Sequence, residues 1–160
     1  MAAFDASVTD PRLRRDVVDR HLARAAGDPL LFGEYRVMAS SGSTGEPGRF
    51  VYSRAGWDAF LDGLMRWTRW MGIRPRWPRP KIAAIGAPDA RHMTFRGAAS
   101  IDVGIFDTLR LSATEPVERL CAVLMLHQPD SINVYPSVLE LLAEEQLAGR
   151  LRVAPRVLCT

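Results

Sequence analysis

The residues best suited to chemistry in this 160-residue chain lie in one short run, Ser40-Ser41-Gly42-Ser43-Thr44-Gly45-Glu46-Pro47-Gly48. Glycine lets the backbone turn its N–H groups towards a ligand, and serine and threonine hydroxyls add further donors at close range. The segments on either side, 35–39 and 49–53, are typical of β-strands, so we expect a hairpin with this run at its tip. The sequence therefore predicts a loop that binds a polyphosphate.

The glycine spacing distinguishes this run from two common phosphate-binding motifs. Gly42 and Gly45 are three residues apart, no lysine follows them, and the next segment is typical of a strand. A Walker loop needs a lysine after its second glycine, and a dinucleotide-binding fingerprint opens a helix. The alternative interpretation, from composition alone, is a flexible Ser/Gly hairpin tip or linker.

The residue order in SSGSTGEP resembles the phosphate-binding loop of the acyl-adenylate-forming enzymes. The start of the run, Met38-Ala39-Ser40-Ser41-Gly42, is similar to this loop in the phenylacetate-CoA ligase-like group. A weaker resemblance continues through the apolar segment 81–86 and the segment 129–137. Many members of the superfamily carry lysine directly after the proline, whereas this chain has Gly48 followed by Arg49. The phenylacetate-CoA ligase-like group often lacks this lysine as well, which argues against a direct cationic role for Arg49.

The resemblance implies ATP-dependent activation of a carboxylic acid as an acyl-adenylate, followed by transfer to the thiol of coenzyme A. ATP, Mg²⁺ and coenzyme A are the implied cofactors, and a small-molecule carboxylic acid is the implied partner. In such a loop the hydroxyls donate hydrogen bonds, the glycines permit close approach and the proline stiffens the exit. The residues assigned in this way to the ATP phosphates are Ser40, Ser41, Gly42, Ser43, Thr44, Gly45 and Pro47.

No catalytic residue and no metal ligand can be assigned from the resemblance. The lysine that contacts the acyl-adenylate in these enzymes lies in a C-terminal domain. Lys81, the only lysine of this chain, opens a predicted buried strand and does not match it. No carboxylate can be assigned to Mg²⁺.

Three further residues are candidates for an acyl pocket. His92 follows an apolar segment at a position where the resembling enzymes place an aromatic or histidine residue, and an exposed loop histidine is the alternative. Tyr135 and Pro136 lie at the carboxyl end of a predicted strand, where ligands of α/β sheets gather. A buried tyrosine beside a helix-starting proline is the alternative for this pair. His21 and His127 are expected to be structural.

The segments that must position these residues alternate between helical and strand patterns. Strands that alternate with helices of about 10–15 residues predict an α/β fold with a mainly parallel sheet, flanking helices and a separate hairpin. An aromatic stripe from Trp57 to Met71 is expected to be core, and the proline-rich segment 74–80 to be a loop. We predict helices over Asp10–Ala26, with Asp10 as the N-cap, and over Arg54–Met71, Pro116–His127 and Pro136–Ala148. We predict strands over 82–85, 103–111, 131–135 and 156–159.

Composition and charge argue against several classes of protein. The 18 acidic residues are interspersed with the 21 basic ones, so the net charge of +3 does not indicate a nucleic-acid-binding surface. An arginine-rich nucleic-acid binder stays as an alternative.

Cys121 and Cys159 are too few for a disulfide scaffold or a four-ligand zinc site and are expected to be buried thiols. The chain has no membrane-length apolar run and no signal pattern, so we expect a cytoplasmic protein without a membrane partner.

The resemblance also implies a domain organisation. We expect residues 1–160 to form part of the N-terminal, AMP-binding domain of such an enzyme, with the C-terminal lid domain outside this sequence. The isolated chain is expected to be inactive, because the ribose, adenine and lysine elements of the family lie outside this sequence. It is also expected to be marginally stable, because its final segment, 156–159, reads as a buried strand whose neighbours would come from further sequence. The alternative is a small phosphate- or nucleotide-binding module without catalytic activity.

Overall fold

The computed structural model describes residues 3–24, 29–40, 47–88 and 91–160, in which helices and strands alternate along the chain. The helices in this part are α1 (Ala3–Ser7), α2 (Arg15–Arg24), α3 (Arg54–Trp70), α4 (Met93–Ile101), α5 (Val117–His127) and α6 (Pro136–Leu147). The strands are β1 (Arg36–Ala39), β2 (Arg49–Tyr52), β3 (Lys81–Gly86), β4 (Asp107–Ser112), β5 (Ser131–Val134) and β6 (Val157–Cys159).

Four of these strands form a parallel sheet in the order β4-β3-β5-β6. Parallel strands need a crossover between them, and the connections from β3 to β4, from β4 to β5 and from β5 to β6 contain α4, α5 and α6 respectively. The predicted α/β fold with flanking helices is therefore confirmed. Strands β1 and β2 form a separate antiparallel hairpin, which the sequence also predicted.

One face of the sheet is closed by α5 and α6. Because side chains alternate between the faces of a strand, Ala83 and Ile85 of β3 point to the same side. They pack there with Leu120 and Leu124 of α5 in a cluster that also includes Leu142 of α6. Each fully buried leucine contributes on the order of 1.5–3 kcal/mol to folding. This face is the main hydrophobic core.

Both cysteines are buried and unpaired, as expected from the sequence. Cys121 lies in the main core, and Cys159 lies at the end of β6. Burial raises the pKa of both thiols above the usual value, because a thiolate is poorly solvated in apolar surroundings. The thiols therefore behave as small apolar groups at neutral pH.

The opposite face of the sheet is covered less completely, by α3 and α4. Of the aromatic stripe on α3, Trp57 is buried at 2% exposure, and it packs against Phe60 with ring centroids 4.9 Å apart. The remaining members, Leu61, Leu64, Trp67 and Met71, are only half-buried. The predicted core position is confirmed for Trp57, whereas several of the others line a groove described below.

The first long helix begins five residues later than predicted. The sequence pattern placed its N-cap at Asp10, but α2 begins at Arg15. The Asp10 carboxylate instead accepts hydrogen bonds from the backbone and guanidinium of Arg12 and from the hydroxyl of Tyr35, and these contacts hold a turn. The backbone N–H of Arg15 donates to Asp5 Oδ1 at 2.7 Å. The predicted end at Ala26 lies outside the described residues.

A second difference is α4, which the sequence pattern did not predict. Threonine, glycine and serine within Met93–Ile101 are weak helix formers, so the helix depends on packing. At Gly97 the helix lies beside Leu64 and Phe60 of α3, and a Cβ there would make ordinary van der Waals contacts with both at 3.7 Å. The strand predicted from Val103 begins only at Asp107, because the chain bends at Gly104, which adopts a φ of +82°.

Candidate functional site

The predicted phosphate loop is closed at its base by two hydrogen bonds. The backbone N–H of Ser40 donates to the carbonyl of Gly48 at 2.9 Å, and the N–H of Gly48 donates to Ser40 Oγ at 2.7 Å. Ser40 Oγ keeps its own proton, so it can still donate to a ligand. These bonds extend the β1–β2 hairpin by one pair and hold the ends of the loop together.

Most of the assigned phosphate ligands fall in residues 41–46, which lie outside the described part of the chain. The role assigned to Ser41, Gly42, Ser43, Thr44 and Gly45 therefore stays a prediction from the sequence. Pro47 is described and exposed, at the exit of the loop.

An ion pair fastens the exit of the loop to α2. The Arg49 guanidinium donates from Nε to Asp19 Oδ1 and from Nη2 to Asp19 Oδ2, the second bond measuring 3.0 Å. Its Nη1 donates to the carbonyl of Pro47 at 2.8 Å. Arg49 is thus held by the protein, and its side chain is only 15% exposed. In this arrangement Arg49 fixes the exit of the loop, and the expectation that it has no direct cationic role at the ligand stays a prediction.

The Arg49 hydrogen bonds hold the pKa of Asp19 below its usual value, so the stabilising effect of Asp19 should depend on pH. A carboxyl group with a lowered folded-state pKa stabilises the fold above its unfolded pKa of about 3.9, and this contribution disappears as the pH falls through the folded-state value. We expect Asp19→Asn to lower the thermal midpoint at neutral pH, by a destabilisation below about 1 kcal/mol because the pair is partly exposed. The gap between wild type and variant should close in acid.

Thermal melts of both proteins between about pH 7 and about pH 2 test this dependence. Asp58→Asn is the matched control, since Asp58 is exposed on α3 and makes no hydrogen bond or ion pair within the described residues. A gap for Asp19→Asn that stays constant down to the acid end would contradict the assignment of the stabilisation to the Asp19 carboxylate.

The hairpin lies at the carboxyl end of the parallel sheet. The N–H of Ala39, at the end of β1, donates to the carbonyl of Arg91 at 2.8 Å, in the connection that leaves the carboxyl end of β3. A cavity of about 320 Å³ opens between α2, the loop base and this connection. It is lined by Asp19, Leu22, Ala23, Ala39, Ser40, Pro47, Arg49, Arg91 and His92.

The structure thus brings His92 together with the base of the loop. His92 is half-buried and precedes the first turn of α4. The charged residues of the lining are Arg49, Arg91 and Asp19, which pairs with Arg49, so one positive charge is in excess and suits an anionic ligand. Arg91 was missed by sequence reasoning, and the backbone bond to Ala39 shows why: only the tertiary contact brings it to the loop.

A second concavity, here called the sheet groove, lies between α3, α4 and the less covered face of the sheet. Its volume is about 320 Å³ and its lining is mainly apolar. Tyr135 lies at its carboxyl-end mouth, where the hydroxyl is 3.1 Å from Thr94 Oγ1. Pro136 begins α6, is exposed and does not line the groove. Of the three predicted acyl-pocket residues, only Tyr135 therefore contacts this groove.

Polar groups of the sheet groove were also missed by sequence reasoning. Ser131, at the start of β5, is 2% exposed, and its Oγ has no hydrogen-bond partner within the described residues. Asn133 lies two residues further on the same face. The period-two spacing of polar residues in β5 was the signal that could have identified this face.

The described residues contain no group of three or more His, Cys, Asp or Glu side chains that could hold a metal ion. The Mg²⁺ that the resemblance implies therefore stays a prediction. Among the same residues, no helix has the length and apolar character needed to cross a membrane.

The fold of this chain is similar to part of several solved structures. No protein-family profile and no curated protein sequence matches the chain. An open conformation of 2-hydroxyisobutyryl-CoA ligase, in complex with 2-HIB-AMP and CoA, is similar with a TM-score of 0.57 and 21% identity, over 85% of this chain and 32% of the ligase. Two structures of that ligase in the postadenylation state, with R3-HIB-AMP and with 2-HIB-AMP, align with a TM-score of 0.52 at 20% and 22% identity.

The last two alignments cover 83% of this chain and 29% of the ligase, so the chain spans about a third of the length of the structures that it matches. At this identity the similarity concerns the fold. The chain is an α/β protein with the fold of one segment of an adenylate-forming CoA ligase.

Proposed function

We propose that this chain is part of an enzyme that activates a carboxylic acid with ATP and transfers the acyl group to the thiol of coenzyme A. The observation that carries the proposal is the position of the SSGSTGEP hairpin, at the carboxyl end of a parallel sheet with the fold of a CoA ligase segment. The similar structures contain acyl-AMP intermediates, and one contains CoA, which supports ATP and CoA as ligands. The residue order of the loop favours the phenylacetate-CoA ligase-like group.

In the proposed reaction, a carboxylate oxygen attacks the α-phosphorus of ATP, a C–O–P anhydride forms, and pyrophosphate leaves. The thiol then attacks the acyl carbon and AMP departs. Charge builds up on the departing pyrophosphate, and preorganised donors stabilise such charge at little reorganisation cost. Ser40, Ser41, Ser43 and Thr44 would supply hydroxyl donors, while Gly42 and Gly45 allow backbone N–H groups to approach.

The fixed base of the loop supports this role. The Ser40–Gly48 bonds and the Arg49–Asp19 pair hold both ends of the loop before any ligand arrives. A donor that is already oriented loses little entropy when the phosphates bind. The cavity beside Arg91 and His92 would receive the part of the ligand next to the loop.

The sheet groove is the proposed acyl-binding surface, with Tyr135 at its mouth. Apolar linings with a few polar groups are usual for organic ligands. The other two residues that the sequence assigned to the acyl pocket lie elsewhere. His92 borders the neighbouring loop cavity, and Pro136 is the first residue of α6. Residues 1–160 would then contribute part of the AMP-binding domain, and the rest of that domain together with a lid domain that carries the catalytic lysine would complete the enzyme.

The proposed function predicts acid-dependent exchange of labelled pyrophosphate into ATP by a protein that contains residues 1–160, the rest of the AMP-binding domain and a lid domain. A panel of aryl, fatty and small hydroxy acids is needed, because the groove does not identify one acid. The 160-residue chain alone is the control and is expected to show no exchange. Failure of the longer protein across the whole panel would favour a phosphate-binding module without catalysis.

A further inference from the structure

A basic cavity lies at the amino ends of the parallel strands, at the opposite end of the sheet from the phosphate loop. Its volume is about 260 Å³. The loop is attached beyond the carboxyl end of β3, whereas this cavity adjoins the residues that precede β3, β5 and β6. Its polar side chains are those of Arg74, Arg76, Asp130 and Arg156. The cavity is therefore separate from the proposed adenylation site.

The single carboxylate of the cavity is already engaged. Asp130 Oδ1 accepts from Arg76 Nη2 at 2.8 Å, and Oδ2 accepts from the backbone N–H of Lys81 at 2.9 Å. Arg76 Nη1 also donates to the carbonyl of Pro78 at 3.2 Å. These contacts fix the Arg76 guanidinium in place and offset its charge.

The other two guanidinium groups keep their charge and their donors. Arg74 and Arg156 are exposed, and their side chains make no hydrogen bond or ion pair within the described residues. The backbone N–H of Arg156 donates to the carbonyl of Asp130 at 2.7 Å, which places Arg156 at the rim of the cavity.

Three carbonyls in the last turn of the neighbouring helix α3 are already bonded. Met71 N–H donates to Trp67 O at 2.9 Å, Gly72 N–H donates to Arg69 O at 3.0 Å, and Ile73 N–H donates to Thr68 O at 3.1 Å. Such C-terminal bonds satisfy carbonyls that cations would otherwise contact. Three guanidinium groups around one engaged carboxylate leave an excess of positive charge that is directed at the cavity.

We propose that this cavity binds a phosphoryl group, with Arg74 and Arg156 as its principal ligands and Arg76 as a fixed third cation. The planar guanidinium group donates two parallel hydrogen bonds to phosphate oxygens, which a single ammonium group does not. The volume of 260 Å³ lies just below the range of about 300–1,000 Å³ usual for drug-sized ligands. The ligand is therefore inorganic phosphate or a small phosphate ester, two sources of the same group.

The test is a titration of the 160-residue chain, with ¹⁵N-labelled arginine, followed through the side-chain Nε–H resonances. Inorganic phosphate and phenyl phosphate are added separately at constant ionic strength, with chloride as the reference anion. We expect saturable shifts of the Arg74 and Arg156 resonances, which are identified by their loss in Arg74→Gln and Arg156→Gln. Each substitution should weaken binding about tenfold, the effect of one charge-assisted contact.

Arg66→Gln is the matched control, because it removes the same charge from an exposed position on α3 and should leave the affinity unchanged. Tighter binding of phenyl phosphate would identify an ester as the ligand, and tighter or equal binding of inorganic phosphate would identify the free anion. Shifts that do not saturate, that chloride reproduces, or that persist unchanged in Arg74→Gln and Arg156→Gln would overturn the proposal. Because the readout is specific to this cavity, the outcome is independent of the adenylation test.

Discussion

Replacing Thr44 by alanine is expected to slow acyl-adenylate formation by roughly 10²–10³-fold, the usual effect of removing one preorganised donor to developing charge. Gly45→Val should have a comparable effect, because a branched side chain would hold the phosphates away from the backbone N–H groups. The measurement is the rate of acid-dependent pyrophosphate exchange in a protein that contains residues 1–160, the rest of the AMP-binding domain and a lid domain. The fold should be intact, since residues that the sequence places at a hairpin tip usually change stability by no more than about 0.5 kcal/mol.

Thr9→Ala is a suitable control for the loop variant, since it removes a threonine hydroxyl from an exposed position before α2. Its exchange rate should equal that of the wild type. Arg49→Gln should slow exchange less than Thr44→Ala does, because Arg49 contacts Asp19 and Pro47 rather than the ligand. An unchanged exchange rate in both Thr44→Ala and Gly45→Val would support the alternative interpretation, in which the run is a flexible Ser/Gly hairpin tip or linker.

The largest loss of stability is expected for Leu124→Ala, which should lower the free energy of unfolding by about 2–5 kcal/mol. Leu124 is fully buried, at 0% exposure, where α5 packs on the closed face of the sheet. Truncation removes apolar contacts and leaves a cavity that the neighbouring side chains fill only in part. Chemical denaturation of the 160-residue chain, monitored by tryptophan fluorescence, measures the change.

Leu126→Ala provides the comparison on the same helix. Leu126 is 86% exposed, so its replacement should change the free energy of unfolding by less than about 0.5 kcal/mol. Equal effects of the two substitutions would mean that α5 does not pack on the sheet through Leu124.

The sequence predicted the elements whose causes are local. Alternation of short apolar strands with helices of 10–15 residues predicted the parallel sheet, since parallel strands require such crossovers. The hairpin followed from β-type residues on both sides of a Gly/Ser run. The predicted start of α3 at Arg54 is confirmed, and the structure shows a local cause, since Ser53 Oγ accepts from Gly56 N–H at 3.1 Å. These features depend on residues close in sequence, so a local pattern is sufficient.

The errors concern elements that depend on distant residues. Asp10 looked like an N-cap, but its carboxylate is engaged by Arg12, two residues on, and by Tyr35, 25 residues away, and these bonds hold a turn. Helix α4 has weak intrinsic propensity and packs beside Leu64 and Phe60 of α3, which no window around Met93–Ile101 contains. In both places a tertiary contact outweighed the local preference.

The candidate site also has a part that the sequence predicted and a part that only the tertiary structure decided. The types and order of residues in 40–48 were enough to predict phosphate chemistry, because that chemistry follows from donors and glycines that are adjacent in the chain. The sequence did not indicate that Asp19 holds Arg49, that Arg91 and His92 border the loop base, or that Arg74 and Arg156 share a cavity at the other end of the sheet. Those neighbours are separated by 30 or more residues, and only packing of the sheet, the hairpin and the helices decides which of them meet.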